Sequence, residues 1–379
     1  MNRQRAACTW LLVMVAGVAT TVQAQTTINP QISVIPRFKM DTNDGEKLSE
    51  GVREFSRPDF QFEELELAIQ SYLNPFARGD VILTIPGPDI ENSKLGIEEL
   101  YATILRGLPL DLNVRVGKYR VEYGKLNMVH PHAYPFITQP LSQERFLGTE
   151  GLNDLGISAS ILLPTGDVYS KLTVDLLRGN SVSAVAGMSD TTGAKPYYAT
   201  SSRLMAFFTL SDESDLETGL STYTGIHDPY NRERFWYFNG DFKFKWRHSS
   251  YTSLVVQGEY LFNTRHAAQD AQGVQFLDAL GHPERRAIQT GGMYVYADYQ
   301  FFKLYSIGAR YDWSETPYSN SDRAKGVSIF CGYYPVEETL GLRFEYQHTT
   351  TETVASSQDV NYLGLQLIFS LGPHKAHPF

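Results

Sequence analysis

Two pairs of histidines are the residues of this chain best suited to metal chemistry. His130 and His132 flank a proline, and His374 and His377 lie close to the last residue. Imidazole is a common metal ligand, but a closed structural zinc site needs four ligands, and neither pair supplies them. The two pairs also fall at opposite ends of the strand pattern described below. The sequence therefore predicts no metal site, and no motif in it calls for a cofactor.

Nucleophilic chemistry has no organised site in the sequence either. The G-x-S-x-G elbow that presents a catalytic serine is absent, and serines and histidines are scattered along the chain. The Pro-Gly-Pro at 86–88 is typical of a turn and lacks the pattern of a phosphate-binding loop. The sequence thus predicts a protein that is not an enzyme, with a lipid-modifying enzyme as a minor alternative.

Charged residues recur at every second position of several apolar segments. In the run 241–246 the aromatic residues occupy one side of a predicted strand and the charged residues occupy the other. The run 342–347 alternates in the same way. Such rows could line an aqueous lumen, or their members could pair with neighbouring strands. The predicted lumen-lining residues are Glu64, Glu66, Glu99, Asn113, Arg115, Lys171, Asp175, Asp241, Lys243, Lys245, Glu259, Arg310, Asp312, Arg343 and Glu345.

Strands have to position these rows, because segments with period-2 patterning recur along the whole chain. Most are about 9–14 residues long, close to the length with which a tilted strand crosses a bilayer. Sixteen such segments are predicted, at about 31–38, 60–73, 76–86, 95–106, 110–123, 152–163, 168–178, 198–210, 215–226, 234–247, 251–263, 291–301, 303–314, 325–334, 339–349 and 360–371.

The connections between these segments differ in length at the two ends of the pattern. Those after even-numbered segments are short, such as the two-residue turn at 74–75. Outer-membrane barrels have this arrangement, with short periplasmic turns and long outer loops. The predicted fold is therefore an all-β, transmembrane, antiparallel barrel of about sixteen strands, with its apolar rows facing lipid. The longest predicted loops are 39–59, 124–151, 179–197 and 264–290.

Both ends of the chain fit export to an outer membrane. Residues 1–24 are typical of a cleaved signal peptide, with two arginines, an apolar stretch and small residues before the cleavage position. A short membrane anchor is the alternative. Residues 25–379 are predicted to form a single barrel domain. The last strand carries alternating apolar residues and the chain ends on Phe379, which resembles the signal that the outer-membrane assembly machinery recognises. Because Phe379 lies beyond the strand, whereas the usual signal ends within it, Phe369 is the alternative carrier of this signal.

Charge and cysteine content exclude other classes of protein. Without residues 1–24 the chain keeps 31 of its 33 Lys and Arg and all 42 acids, a formal net charge of −11. This balance argues against nucleic acid as a partner, because phosphate binding needs a basic surface. Only Cys331 would remain, so no intramolecular disulfide can form.

Aromatic residues make up 13% of the chain. Many of them fall near predicted strand ends, where interfacial girdles of a membrane barrel would use them. Ordinary packing between side chains of the sheet is the alternative. The predicted girdle residues are Tyr101, Tyr123, Tyr237, Tyr260, Tyr299, Tyr311, Trp313, Tyr333 and Tyr334.

Three stretches and the final strand resemble a known family. The stretches are GKYRVEYGKLN at 117–127, LGTEGLNDLGISASILLP at 147–164 and GARYDWSE at 308–315. They resemble the phosphate-selective porin O and P family and related Gram-negative outer-membrane porins. The resemblance implies a sixteen-stranded barrel, commonly a homotrimer, that conducts small solutes. It also implies that the third outer loop folds into the lumen and narrows it.

That third loop corresponds to residues 124–151, which would form the constriction. Three prolines would stiffen it, and Glu144 and Arg145 could face each other across the opening. A plain surface loop is the alternative. The candidate constriction residues are His130, His132, Glu144 and Arg145.

The predicted function is passive diffusion of small polar or charged solutes through an outer-membrane porin of a Gram-negative bacterium. Phosphate selectivity does not carry over, because acids outnumber Arg and Lys in the predicted lumen and anion passage needs a positive field. Facing charges of opposite sign would instead create a transverse field that admits polar solutes. The expected partners are outer-membrane lipid, the assembly machinery and small solutes. The alternative is a barrel whose loops at 39–59 and 264–290 bind a ligand or a surface.

Overall fold

Sixteen antiparallel β-strands form one closed sheet. The structure is a computed structural model, and it describes residues 30–45, 55–89, 92–181, 197–228, 232–268, 274–336 and 339–372. The predicted signal peptide and the tail with His374, His377 and Phe379 lie outside these residues. The strands are β1 (Gln31–Asn43), β2 (Asp59–Asn74), β3 (Ala77–Pro86), β4 (Gly96–Ile104), β5 (Asn113–Arg120), β6 (Asn153–Leu163), β7 (Tyr169–Leu177), β8 (Ala199–Ser211), β9 (Ser214–Asp228), β10 (Glu233–Ser249), β11 (Thr252–Ala267), β12 (Arg286–Phe301), β13 (Tyr305–Thr316), β14 (Ser319–Val336), β15 (Leu340–Glu352) and β16 (Ser357–Phe369).

Every predicted segment overlaps one of these strands, and the prediction of an all-β antiparallel barrel is confirmed. The largest error in strand boundaries is between β13 and β14. A tight turn at 317–318 joins them, whereas the sequence predicted a connection over 315–324. The loops predicted at 39–59 and 264–290 shorten to 44–58 and 268–285. These strand ends carry polar residues on both faces, so the period-2 signal disappears although backbone pairing continues.

The first and last strands close the barrel. Residues of β1 pair with β16 from Arg37 opposite Ile368 to Asn43 opposite Tyr362. Three aromatic rings cross this seam from β2 to β16, with the Phe38 ring of β1 stacked 6.1 Å from Phe60 and 6.4 Å from Phe369. Closure gives each strand two hydrogen-bonded neighbours, so the sheet has no edge strand in the part of the chain that the structure describes.

The two faces of the sheet have the reverse of the polarity expected for a water-soluble barrel. Strand β14 alternates strictly from Arg323 to Tyr333, with Ser328 and Phe330 buried inside and Val327 and Ile329 exposed outside. Buried inner positions on other strands carry charge, and Arg203, Arg265 and Arg310 are among the largest fully buried side chains. The exposed outer positions carry apolar residues. The inside of this barrel is therefore polar and its outside is apolar.

The predicted aromatic girdle divides between these two faces. Tyr260 and Tyr299 are exposed on the outer face, as the prediction requires. In contrast, Tyr123, Tyr223 and Tyr237 are fully buried, and they pack with Phe235 in a cluster inside the barrel. The girdle prediction was therefore wrong for Tyr123 and Tyr237. It was also wrong for Tyr101 and Tyr334, which line cavities inside the barrel, because the spacing of aromatic residues does not show which face they occupy.

The connection between β5 and β6, residues 121–152, lies inside the barrel, and we call it the inward loop. It contains 3₁₀ turns at Leu126–Met128 and Pro131–Ala133 and the helix α1 (Leu141–Leu147). Phe136 and Phe146 of this loop are almost completely buried, and they contact Tyr296 and Tyr237 of the barrel wall. Among the described residues, no helix is long and apolar enough to cross a membrane.

Gly117 of β5 has a conformation that only glycine adopts without strain. Its φ is +140°, and a Cβ there would lie 2.1 Å from the Leu100 carbonyl oxygen of β4. We expect Gly117→Ala to lower the free energy of unfolding by about 1–3 kcal/mol. Urea titration of the refolded barrel, followed by tryptophan fluorescence, measures this change. Gly240→Ala is the control, because its Cβ would meet only Leu220 at an ordinary 3.8 Å; equal losses in both variants would contradict the argument.

Candidate functional site

Carboxylates of the barrel wall bind the middle of the inward loop. Glu345 of β15 accepts hydrogen bonds from the Ile137 and Thr138 backbone N–H groups and from the Thr138 hydroxyl at 2.7 Å. Glu345 is completely buried. A buried carboxylate needs several donors to offset its lost hydration, and the loop backbone supplies them.

Arg310 of β13 binds the same part of the loop through a positively charged side chain. Its guanidinium donates to the Thr138 carbonyl oxygen at 2.7 Å and to Asp312 at 2.7 Å. It also stacks 4.2 Å from the centre of the Phe136 ring, a favourable cation–π distance. Asp312 in turn accepts the backbone N–H of Leu141, the first residue of α1, at 3.3 Å. The Arg310–Asp312 pair thus positions both the loop apex and the start of the helix.

Glu259 of β11 accepts hydrogen bonds from the beginning of the inward loop. One oxygen accepts the backbone N–H groups of Lys125 and Leu126 at 3.0 and 2.6 Å, and the other accepts the Gln143 side chain at 3.0 Å. The Tyr294 hydroxyl donates at 2.7 Å. This one carboxylate therefore joins the start of the loop, α1 and strand β12.

Lys125 anchors the loop to β9 through a buried ion pair. Its Nζ lies 2.6 Å from Glu217, and both side chains are more than nine-tenths buried. Burial lowers the pKa of Lys125, and the Glu217 carboxylate only partly opposes this. Next to it, Arg203 of β8 pairs with Asp241 of β10. These pairs extend the charge network across three neighbouring strands.

The histidines of the inward loop meet carboxylates of β2 and β4. His132 Nδ1 lies 3.1 Å and His130 Nδ1 lies 3.3 Å from the same oxygen, Glu66 Oε2. His130 Nε2 lies 2.8 Å from Glu99 Oε1. Burial acts to lower the pKa of His130, but the neighbouring carboxylates outweigh it and hold that pKa well above the ordinary value. We call Glu66, His130 and His132 the histidine cluster.

Two cavities lie beside the inward loop, toward the short-turn end of the barrel. One has a volume of about 430 Å³ and is lined by the histidine cluster and by charged residues of both signs; we call it the histidine cavity. In it, Glu122 of the loop lies 2.8 Å from Lys171 and 3.7 Å from Arg115. Burial raises the pKa of Glu122, but these cations outweigh it and lower that pKa.

The second cavity has a volume of about 370 Å³, and we call it the lysine cavity. Its charged lining is mostly basic, with one carboxylate, that of Asp298. His132 borders both cavities, and the backbone oxygen of His132 accepts a hydrogen bond from Arg343 at 2.7 Å. The basic side chains that line it are Lys243, Lys245, Lys303 and Arg343.

All of the predicted lumen-lining residues except Asn113 fall into three groups in the structure. Those that border a cavity are Glu66, Glu99, Arg115, Lys171, Lys243, Lys245 and Arg343. Those that hold the inward loop are Glu259, Arg310, Asp312 and Glu345. Those engaged with the wall are Glu64 with Arg37, Asp175 with the Tyr119 hydroxyl, and Asp241 with Arg203. Asn113 is half-buried at the start of β5.

The candidate constriction residues separate into two places. His130 and His132 lie in the histidine cavity, whereas Glu144 and Arg145 border neither cavity. Glu144 is exposed on α1, and Arg145 donates to the Ser314 carbonyl oxygen of β13 at 3.1 Å. Sequence reasoning missed Lys125, Arg203 and Glu217, which form the buried network. Strand alternation puts Arg203 and Glu217 on the inner face, so that signal was available in the sequence.

Comparison with known proteins establishes the fold and leaves the family open. No protein-family model matches the chain. An uncharacterized protein of Aquifex aeolicus is 27% identical over 349 residues, an alignment that covers 84% of this chain and 70% of the relative.

Solved barrels of the outer membrane are similar over nearly their whole length. The outer membrane channel DcaP of Acinetobacter baumannii has a TM-score of 0.59 at 12% identity, covering 90% of this chain and 97% of that one. An anion-selective porin from Comamonas acidovorans has 0.59 at 8%, covering 90% and 99%. OprB of Pseudomonas putida has 0.56 at 9%, covering 90% and 94%. At such identities the similarity concerns the fold.

Removing the Glu345 carboxylate should release the inward loop. Glu345→Ala leaves two loop N–H groups and the Thr138 hydroxyl without their buried acceptor, at roughly 1–3 kcal/mol for each group. We therefore expect trypsin to cut after Lys125 or Arg145 roughly 10-fold faster or more than in the wild type. Timed digestion of the refolded protein and mass spectrometry of the fragments measure this rate.

Glu352→Ala is the matched control for this digestion, because Glu352 lies on the same strand and makes none of the loop contacts described above. It should be cut at the wild-type rate. A Glu345→Ala variant as resistant as the wild type would mean that other contacts suffice to hold the loop.

Proposed function

We propose that this protein is an outer-membrane channel of the porin type, through which small polar or charged solutes diffuse passively. The observation that carries the proposal is the reversed polarity of the closed barrel. Its interior buries Arg310, Arg203 and Glu345, whereas its exterior exposes residues such as Phe344 and Ile329. Lipid favours an apolar outer face, and a closed strand ring satisfies every backbone group without water.

The solved structures with the same fold support this proposal. Two of them are described as an outer membrane channel and an anion-selective porin. Export through a cleaved signal peptide at residues 1–24, insertion by the assembly machinery, a Gram-negative outer membrane and a homotrimer belong to the same proposal. In it the inward loop forms the constriction, and the predicted lumen-lining residues that border the two cavities meet the solute.

The charge of the open space favours small anions as the preferred solutes. Many of the acids that made the predicted lumen look acidic are engaged by the inward loop or by neighbouring arginines. The lysine cavity, in contrast, is lined by four basic side chains and one carboxylate. Because low-dielectric walls strengthen the field of such a lining, we propose that anions pass more readily than cations. The proposed preference agrees with phosphate-selective porins in the sign of the preferred solute charge, and it does not extend to phosphate itself.

Single-channel recording tests the channel and its selectivity together. The refolded wild type in a planar bilayer should give defined conductance steps, and a salt gradient should give a reversal potential of anion preference. The double variant Lys243→Glu with Lys245→Glu should lower the ratio of anion to cation permeability by roughly twofold or more, because it reverses two charges of the lysine cavity.

Lys94→Glu is the control, because Lys94 is exposed on the connection between β3 and β4 and borders neither cavity. It should leave the reversal potential unchanged. Cation preference in the wild type would contradict the proposed selectivity. A correctly folded barrel without conductance would contradict the channel itself and favour a barrel whose outer loops bind a ligand.

A charge on the outer face should disturb insertion into lipid. Ile329 is 56% exposed near the middle of β14, and Ile329→Arg should destabilise the barrel in a bilayer by about 2–4 kcal/mol. Folding into lipid vesicles, followed by the shift in electrophoretic mobility between unheated and heated samples, measures this loss. Ile329→Leu should fold as the wild type does, and equal folding of all three proteins would contradict a lipid-facing position.

A further inference from the structure

We propose that the histidine cluster is a binding site for one divalent transition-metal ion of the zinc class, held between the inward loop and the barrel wall. The ligand atoms are His130 Nδ1, His132 Nδ1 and Glu66 Oε2. Both histidines belong to the inward loop, and Glu66 lies on β2, so the ion joins two elements that are remote in sequence. This inference does not depend on solute passage through the barrel.

The spacing of the ligand atoms fits an ion of this size. Glu66, His130 and His132 each offer one ligand atom within 4.8 Å of the other two. Glu66 Oε2 is 3.1 Å from His132 Nδ1 and 3.3 Å from His130 Nδ1. Zinc bonds to nitrogen and oxygen of about 2.0–2.1 Å in a tetrahedron place neighbouring ligand atoms about 3.3 Å apart. The two separations between histidine and carboxylate therefore already match those around a bound ion.

The cluster contains polar atoms whose hydrogen bonding the protein leaves incomplete. Glu66 Oε2 and His130 Nδ1 are buried, and neither has a hydrogen-bond partner of acceptable geometry among the described residues. Glu66 itself is 96% buried, with a relative exposure of 4%. Such atoms carry a desolvation cost. A cation between them would satisfy both at once.

Glu99 supplies the orientation that a metal-binding imidazole needs. His130 Nε2 lies 2.8 Å from Glu99 Oε1, so the ring donates its Nε2–H to that carboxylate and turns Nδ1 toward the cluster, where a metal ion would replace the Nδ1 proton. A carboxylate in this position is the usual outer partner of a metal-binding histidine. Pro131 lies between the histidines in a 3₁₀ turn, and the rings lie 5.7 Å apart at an angle of 21°.

The surroundings supply negative charge and room for a further ligand. Glu98 Oε1 lies 3.4 Å from His130 Nδ1, although it is paired with Arg120 at 2.6 Å. Glu66 and Glu99 carry charges that a divalent ion would balance. All three proposed ligands border the histidine cavity, which has space for water or a solute group in the remaining coordination position.

The donor set selects the class of metal. Two imidazole nitrogens with one carboxylate suit zinc, nickel, cobalt or copper. Calcium and magnesium prefer sites built from oxygen alone. We therefore expect zinc to bind in the presence of excess magnesium, and the bound ion to fasten the inward loop to β2.

Isothermal titration of the full chain, refolded in detergent without an affinity tag, tests the site with zinc chloride. The wild type should bind one zinc ion per chain. Affinity should fall on the order of 100-fold in Glu66→Gln and in the double variant His130→Ala with His132→Ala. Glu99→Gln should weaken binding by roughly 10- to 100-fold, as loss of an outer partner does. His348→Ala is the control, because His348 is exposed on β15 and bonds Asn361.

Two results would overturn the proposal. One is a wild type that binds no zinc, and the other is a double histidine variant that binds zinc as tightly as the wild type, which would assign the binding to other groups such as the tail histidines. X-ray absorption of the zinc-loaded wild type provides a measurement without any variant. It should report two imidazole ligands, and a zinc shell without imidazole would equally reject the site.

Discussion

The structure depends on the neutralisation of charge inside a closed ring of strands. A barrel with an apolar exterior must place its polar side chains inside, where each charge loses hydration unless a partner replaces it. Here the inward loop is that partner for much of the wall. Its backbone N–H groups serve Glu345 and Glu259, its carbonyl oxygen serves Arg310, and its lysine serves Glu217. Loop and wall are therefore one hydrogen-bonded unit.

The lysine cavity and the histidine cavity differ in charge because of this arrangement. The loop binds several of the wall carboxylates, and the space that remains open lies in two cavities between the loop and the wall. The lysine cavity keeps its cations beside the solvent space, whereas the histidine cavity mixes both signs. His132 lies at the border of both cavities, so any ligand bound by its ring would act at the junction between them.

The sequence predicted the barrel well because strand patterning is local. Alternation in runs such as 241–246 assigns both faces of a strand, and the sixteen segments follow from it. The turn at 317–318 was missed because polar strand ends lose that alternation. The site is different, since Glu66 and His130 come together only when β2 curves around the lumen and the loop folds back. The same limit applies to charge, because Glu345 and Lys243 both face inward, yet only the fold shows that one is occupied by loop amides and the other borders a cavity.

The pairing of β1 with β16 also determines when the barrel can close during folding. Because Arg37 pairs opposite Ile368, the ring cannot close until almost the entire chain is available, and the intermediate must carry two open edges until then. Contacts so distant in sequence form slowly, and exposed edges invite pairing with other chains. The unpaired edges of such an intermediate must be protected from other chains until the final strand pairs. A chain that lacks this strand could not close the ring.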